Sequence, residues 1–461
     1  DGGRTLTKNV AFVGGGITGL ASAAWQEHVH GVEKVQVIES ASSAGGKIRS
    51  ERDDCYTLEW GSQRFLDNAP DTLDLARILG LENGLVRADE AAADRFILRE
   101  GALRRVETSP IGFMRSDILP FSGRLRLLGE PFAPKRPDHD ETIFEFASRR
   151  IGSQAAEVLV DAMVTGVFAG DSRKLSLAAT FPRMAAMEAK HGSLTRALIA
   201  RMREAKKAGR KSGGPAGPGG TLTTFSSGMA RLPWQLSEKL GHRLLLKQPV
   251  QSLRRLGDRF ILTTEQGDIG ADAVLLTLPA ERTARMLAKI APDAVEPLSE
   301  ITTVPIAVVM LGYSKADVFG RPVRGFGFLV PRCEDLGILG TLYCHDIFPG
   351  QAPGGSLFLR VMVGGARSPA VAAFDDEKLL AHVRTSLARV LGANPAPDRV
   401  WIVRWERGIS QYTVGHLDRV SKAEAAADAI GIDLAGSPYR GVSVNDCIKQ
   451  SRAAAAKIAK R

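Results

Sequence analysis

At 461 residues the chain is too long for one hydrophobic core, so two or three domains are expected. Its 44% hydrophobic and 24% charged residues exclude a disordered or fibrous chain. A net charge of +10 suits an anionic membrane surface or an acidic substrate; no dense Lys/Arg run is interleaved with aromatics, so no nucleic-acid partner is expected.

Residues 1–5 lack the character of a signal peptide. Residues 10–13 form a short apolar run, suited to a strand buried on both faces. Gly14, Gly15, Gly16, Ile17, Thr18 and Gly19 follow, then an Ala-rich stretch at 20–25 that suits a helix. Residues 35–38 read as a second buried strand, ending in Glu39 and Ser40. Gly14 permits a tight turn, Gly16 lets a pyrophosphate approach the backbone, and Gly19 lets helix and strand pack closely. The helix N-terminus then offers free N–H groups and a positive dipole end to phosphates. Glu39 lies about 20 residues beyond Gly19, where an acid accepts hydrogen bonds from a ribose. A lone Gly-x-Gly-x-x-Gly matches many ordinary turns; with strands, helix and acid in place it reads as dinucleotide binding. The doublet Gly45-Gly46 comes next, ahead of Lys47, Ile48 and Arg49.

Residues 55–65 read as a strand entering a turn at Gly61, Ser62, Gln63 and Arg64. Residues 71–79 are an amphipathic helix, and 94–98 a short strand with Arg95 near its start. The stretch 101–211 is mostly helical, with Asp140 as candidate N-cap and helices at 154–164 and 181–187. Phe113, Met114, Arg115 and Phe121 put apolar and basic residues side by side there. That pattern fits a plain helical lid, or a unit resting on a bilayer. Residues 211–220 read as a mobile Gly/Pro linker. A helix running to Leu240 and a hairpin over 249–264 come next, then a buried strand at 273–278 that should rejoin the dinucleotide sheet. Further strands are expected at 306–311, 325–330, 337–343, 357–363, 401–405 and 432–436, with helices at 381–391 and 445–459.

Cys55, Cys333, Cys344 and Cys447 show no CxxC spacing, so they read as free thiols rather than zinc ligands or a redox dithiol. No apolar run reaches ~18 residues, so no spanning helix is expected. His345 and His416 are candidate acids or bases, although a hydrogen-bonded structural histidine is the commoner role.

The motifs at 14–19, 45–50, 166–171, 325–331, 362–365, 411–416 and 439–448 together resemble the protoporphyrinogen oxidase family, within the flavin amine oxidase superfamily. The resemblance runs from residue 10 to 458, and the last three motifs are far more specific than the glycine fingerprint. It implies an α/β plus α+β fold in three parts. These are a discontinuous Rossmann-type FAD-binding domain (1–75, 221–278, 400–461), an antiparallel-sheet substrate domain (76–100, 279–399), and a helical membrane-associated insertion (101–220). It implies non-covalent FAD held at Gly14 to Gly19, Glu39, Ser40, Lys47, Gly61, Ser62, Gln63, Arg64, Val250, Trp405, Val442, Ser443 and Val444. The N–H groups of 442–444 precede a helix and could receive the flavin O2. Arg95 matches an arginine facing a substrate propionate. Gly166, Gly327, Leu329, Phe348 and Met362 match residues around the macrocycle.

The implied reaction oxidises protoporphyrinogen IX by six electrons. Three cycles each pass a hydride to flavin N5, and O2 reoxidises the flavin to give H2O2. No protein acid or base is then required, since the flavin carries the chemistry. A peripheral membrane location follows from the same resemblance, on the mitochondrial inner membrane or the bacterial cytoplasmic membrane; a homodimer is left open. Ser62 and Gln63 depart from it: many members have Pro at the first position and some have Arg at the second. The rival readings are a coproporphyrinogen III oxidase, which should show more basic residues around the pocket than Arg95, another flavin amine oxidase or desaturase, and a non-catalytic FAD-binding scaffold.

Overall fold

The computed structural model describes residues 8–32, 34–107, 109–207 and 220–461. The signal-peptide reading of 1–5 and most of the Gly/Pro linker fall outside these residues.

A five-stranded parallel sheet runs in the order Leu244–Leu245, Lys34–Ile38, Asn9–Val13, Ala273–Leu276, Ile432–Leu434. The residues of Asn9–Val13 alternate between two cores, as the pleat requires. Val10 and Phe12 join one with helices Ile17–His30 and Val444–Lys460; Ala11 and Val13 join the other with helices Ala280–Leu287 and His416–Asp428. A parallel sheet covered on both faces accounts for the unbroken apolar runs of its strands. The first and last helices are pinned by polar contacts as well as packing. Trp25 Nε1 donates to Ser451 Oγ (3.1 Å), and Gln26 Nε2 donates to the Ala455 carbonyl (2.9 Å). The chain's two ends thereby close one layer.

A seven-stranded sheet runs in the order Arg399–Ser410, Thr303–Tyr313, Leu357–Gly364, Gly340–Tyr343, Gly327–Leu329, Arg95–Arg99, Ala102–Arg105. All neighbours are antiparallel except Gly327–Leu329 with Arg95–Arg99, which are parallel. Two strands cross the expected boundaries. Arg399–Ser410, expected with the FAD-binding pieces, is an edge strand of this sheet, because Thr303–Tyr313 provides its hydrogen-bonding partner. Ala102–Arg105, expected in the insertion, is the opposite edge. Conversely Ala280–Leu287, expected with the substrate sheet, packs on the parallel one.

One face of the seven-stranded sheet packs on helix Asp376–Leu391. The other carries Tyr56, Trp60, Phe358, Trp401 and Trp405, and so meets the segment that follows the Gly45-Gly46 doublet. Trp401 Nε1 donates to Asp53 (2.8 Å), and Trp405 Nε1 donates to the Trp60 carbonyl (2.9 Å).

Between Ala102–Arg105 and Leu222–Phe225 lies a helical insertion comprising Pro110–Arg115, Phe121–Leu128, Ile143–Ile151, a helix over 153–168, Pro182–His191 and Leu194–Lys207. The helix over 153–168 contains a π turn at Ala156–Val160. Thr142, not Asp140, caps Ile143–Ile151, in a capping box with Glu145. Asp140 instead accepts from Ser176 Oγ (2.7 Å) and Gly415 N–H (2.9 Å), joining the insertion to the last quarter of the chain. The insertion has its own ionic centre. Glu130 is buried, which opposes its charge, yet hydrogen bonds from Ser193, Thr195 and Arg150 hold its pKa down to about 2. Arg149 bridges Glu141 (2.6 Å) and Glu188 (2.7 Å) beside it.

Candidate active site

The glycine cluster forms a backbone cradle at the start of helix Ile17–His30. At Gly14, φ is +112°, and a Cβ there would lie 2.7 Å from Thr277 Oγ1. At Gly19 a Cβ would come within 2.0 Å of the Gly14 carbonyl oxygen, so helix and turn can meet only through glycine. Nothing lies within 4 Å of a Cβ built on Gly16, the N-cap of helix Ile17–His30, and no side chain caps that helix. Its first-turn N–H groups therefore face open space, which is the donor set a pyrophosphate requires. Ile17 and Thr18 are buried, so they would serve through their backbone. The second doublet is tied to the first: Gly45 N–H donates to the Gly15 carbonyl at 2.8 Å.

Glu39 is held by Gly15 N–H (2.7 Å) and Ala41 N–H (2.7 Å), and it accepts from Ser40 Oγ (3.2 Å). A carboxylate has about four acceptor positions, so it keeps capacity for ribose hydroxyls. Lys247 and Gln248 N–H donate to the Ala41 and Glu39 carbonyls, which brings Val250 alongside this end of the cradle. At the other end, Lys47 Nζ donates to the Gly408 carbonyl (2.6 Å), and a Cβ on Gly61 would strike the Lys47 carbonyl at 1.8 Å. Trp405 is fixed over Trp60 on the same side. Ser443 caps helix Val444–Lys460 in a box with Asp446, and Gly441 N–H donates to Tyr412 Oη (2.9 Å). These residues fit a dinucleotide cofactor.

The substrate-side expectations divide. Ile97, Leu329, Gly340, Met362 and Val308 share one register row across five strands, so their side chains stand on one face. A Cβ on Gly166 would strike Leu329 Cδ2 at 2.6 Å, so those two meet. Met362 and Leu329 are half-buried, but Phe348 is 1% exposed and belongs to the aromatic core between the sheets. Gly327 has a structural cause: a Cβ there would lie 2.0 Å from the Thr341 carbonyl oxygen of the neighbouring strand. Arg95 is exposed, stands over the Phe326 ring at 5.0 Å, and has no carboxylate partner among the described residues.

Gln63 is buried. Its Nε2 donates to Cys344 Sγ (3.1 Å) and Gln351 Oε1 (3.3 Å), and its Oε1 accepts from Arg64 (2.6 Å). Both histidines are structural. His345 bonds the backbone of Phe358 and Val323, and His416 bonds the Tyr439 carbonyl (2.8 Å) while stacked on Tyr412. Burial lowers the pKa of His416 to about 4. Two groups escaped the sequence reading. Arg360, buried in the middle of an apolar strand, donates to the Glu59 carbonyl (3.1 Å) and the Gly61 carbonyl (2.8 Å). Glu59 is buried beside it, and that burial pushes its pKa up to about 8. An arginine inside a run of Leu, Phe and Val was the available signal.

The sequence profile of the flavin containing amine oxidoreductase family matches residues 17–459. The chain belongs to that family. A protoporphyrinogen oxidase from Bos taurus is 34% identical, with 98% of each chain covered. The coproporphyrinogen III oxidase of Bacillus subtilis (strain 168) is 30% identical, with 97% of each covered. A solved structure from Exiguobacterium sp. 255-15, named provisionally as a protoporphyrinogen oxidase, gives a TM-score of 0.84 at 27% identity, covering 98% of this chain and 99% of that one. The protein is therefore an FAD-dependent oxidoreductase.

Proposed function

We propose that the protein oxidises protoporphyrinogen IX to protoporphyrin IX, consuming three O2 and releasing three H2O2. The observation that carries this reading is Arg95. Its guanidinium has no carboxylate partner among the described residues, and Arg95 stands two residues before Ile97 on one strand, beside the apolar row of Ile97, Leu329 and Met362. A charged head on an apolar floor matches an apolar macrocycle bearing propionates. Bound FAD supplies the two-electron acceptor for each of the three oxidations. Leu329, Met362 and Gly166 would orient the macrocycle and exclude water, and Arg95 would fix its edge. The division into FAD-binding, substrate and insertion domains belongs to the same reading.

The insertion would rest on a membrane. Phe121, Leu125 and Leu128 share one helix face and are 68%, 53% and 60% exposed, and Phe132 beyond them is 86% exposed. Among the described residues no helix is long and apolar enough to cross a bilayer, so contact would be peripheral.

The test is fluorescence growth on adding protoporphyrinogen IX to FAD-replete protein. A charge-assisted bidentate contact contributes about 1.5–3 kcal/mol, so Arg95→Ala should lower kcat/KM by roughly 10- to 100-fold with flavin content unchanged. Arg95→Lys should recover part of the loss, because an ammonium lacks the planar fork. Wild-type kcat/KM in Arg95→Ala would refute the assignment.

A further inference from the structure

Arg64 comes from the turn after Tyr56–Glu59, and Arg95 from the edge of the seven-stranded sheet. Their guanidinium carbons lie 4.7 Å and 5.0 Å from the centroid of the same ring, Phe326. Their separation therefore cannot exceed the sum of those distances. Two cations on one small ring repel each other, and the ring's negative faces offset only part of that repulsion.

The nearby acids do not neutralise the pair. Asp94 is taken by Arg105 (2.7 Å), and Asp346 by Arg324 (2.9 Å) and Gly325 N–H (2.7 Å). Glu59 is engaged by Met229 N–H and Ser50 Oγ. Arg64 donates to the neutral Gln63 Oε1, and the nearby Arg360 adds a third positive charge. Burial and these two cations lower the Arg64 pKa to about 10, which leaves it charged at neutral pH. Arg64 is half-buried and Arg95 exposed, and neither has a carboxylate partner among the described residues, so the pair suits an anionic ligand.

We propose that Arg64 and Arg95 form a two-cation clamp that binds two carboxylates carried on neighbouring rings of one substrate, with Arg64 as the residue that reads the second carboxylate. This rests on the porphyrinogen reading above and narrows it. Two propionates on adjacent pyrroles reach a pair of guanidiniums flanking one phenyl ring, whereas propionates on opposite edges of the macrocycle do not. The inference also moves Arg64 from the expected FAD contacts to the substrate. Its guanidinium lies against Phe326, beside the substrate sheet, rather than along the glycine cradle.

The test compares wild type, Arg64→Gln and Arg64→Lys on protoporphyrinogen IX and on its dimethyl ester, which keeps the macrocycle but loses both charges. Binding of the product porphyrin is titrated separately by fluorescence. Loss of one charge-assisted contact should raise KM for the free acid about 10-fold in Arg64→Gln, with kcat within about 2-fold. Product affinity should weaken to match, ester kinetics should not change, and Arg64→Lys should rescue part of the loss. An unchanged KM for the acid, an equal loss on the ester, or loss of bound flavin in Arg64→Gln would overturn the clamp. Failure of the wild type to form porphyrin from either compound would instead remove the underlying functional reading, and that result is visible without any variant.

Discussion

Replacing Glu59 with glutamine should stabilise the protein at alkaline pH and leave it unchanged at acidic pH. Glu59 is 1% exposed and accepts hydrogen bonds from Met229 N–H (2.8 Å) and Ser50 Oγ (2.7 Å). Burial raises its pKa from 4.5 to about 8, against the opposing pull of those hydrogen bonds and of Arg360. The sign follows from proton counting. At pH values below 4.5 the carboxyl is protonated in both folded and unfolded chains. Between 4.5 and about 8 the unfolded chain ionises while the folded one keeps its proton, so stability falls as pH rises. Each pH unit in that window removes about 1.4 kcal/mol, giving an upper bound on the order of 4–5 kcal/mol across it. Glutamine keeps an acceptor for Met229 N–H, and the Ser50 hydroxyl can accept from its new amide, since a hydroxyl has two lone pairs. The assay is thermal unfolding of flavin-loaded wild type and Glu59→Gln at several pH values between 4 and 9. The variant's advantage should be near zero at the acid end, grow to several degrees, then level. Parallel pH profiles would show that Glu59 is not held protonated, and the reasoning from burial would fail.

Acid precipitation should release free FAD, because the cradle binds through backbone N–H groups and glycines; flavin remaining with the pellet would contradict this. Gly16→Val should fold, since nothing lies within 4 Å of a Cβ there, yet lose FAD because the side chain fills the pyrophosphate position; yellow Gly16→Val protein would refute the cradle. The quadruple change of Phe121, Leu125, Leu128 and Phe132 to Asp should abolish co-sedimentation with anionic vesicles. Equal sedimentation would place membrane contact elsewhere. Phe113→Asp is a different kind of change, because Phe113 packs, partly buried, against the cluster that contains Ile118, Leu119 and Val158, and it should lower thermal stability instead.

The cradle was legible because every feature of it is local. Strand, turn, helix and acid follow one another within a single stretch, and the glycine spacing states which backbone atoms must approach. The buried strand at Ala273–Leu276 rejoined that sheet as its apolar run implied. Sheet membership was not legible where pairing is long-range. Nothing within Arg399–Ser410 says that its partner is Thr303–Tyr313 rather than the parallel sheet, because an antiparallel edge strand and a parallel one share the same apolar pattern. Phe113 and Phe121 looked alike in sequence, yet one is inside the insertion and the other outside. A short helix with mixed apolar and basic residues does not state which face is covered.

The arginines show the same limit most sharply. Arg64, Arg95 and Phe326 come from three distant parts of the chain: the resemblance assigns Arg95 to a propionate and Arg64 to the cofactor, and says nothing of Phe326 or of the two arginines meeting. Their proximity arises only when the sheet pairs Arg95 with Gly327 and so sets the arginine beside the residue preceding that glycine. Arg360 then fixes the turn that carries Arg64, through the carbonyls of Glu59 and Gly61. An arginine buried in a central strand is unfavourable unless its donors are satisfied, so its place there is explained by the backbone it holds rather than by packing. The seven-stranded sheet and the turn after Tyr56–Glu59 are in this way one mechanical unit. The cation cluster at their junction is where the two halves of the reaction would meet, the carboxylate-bearing edge of the substrate on one side and the cofactor's cradle on the other.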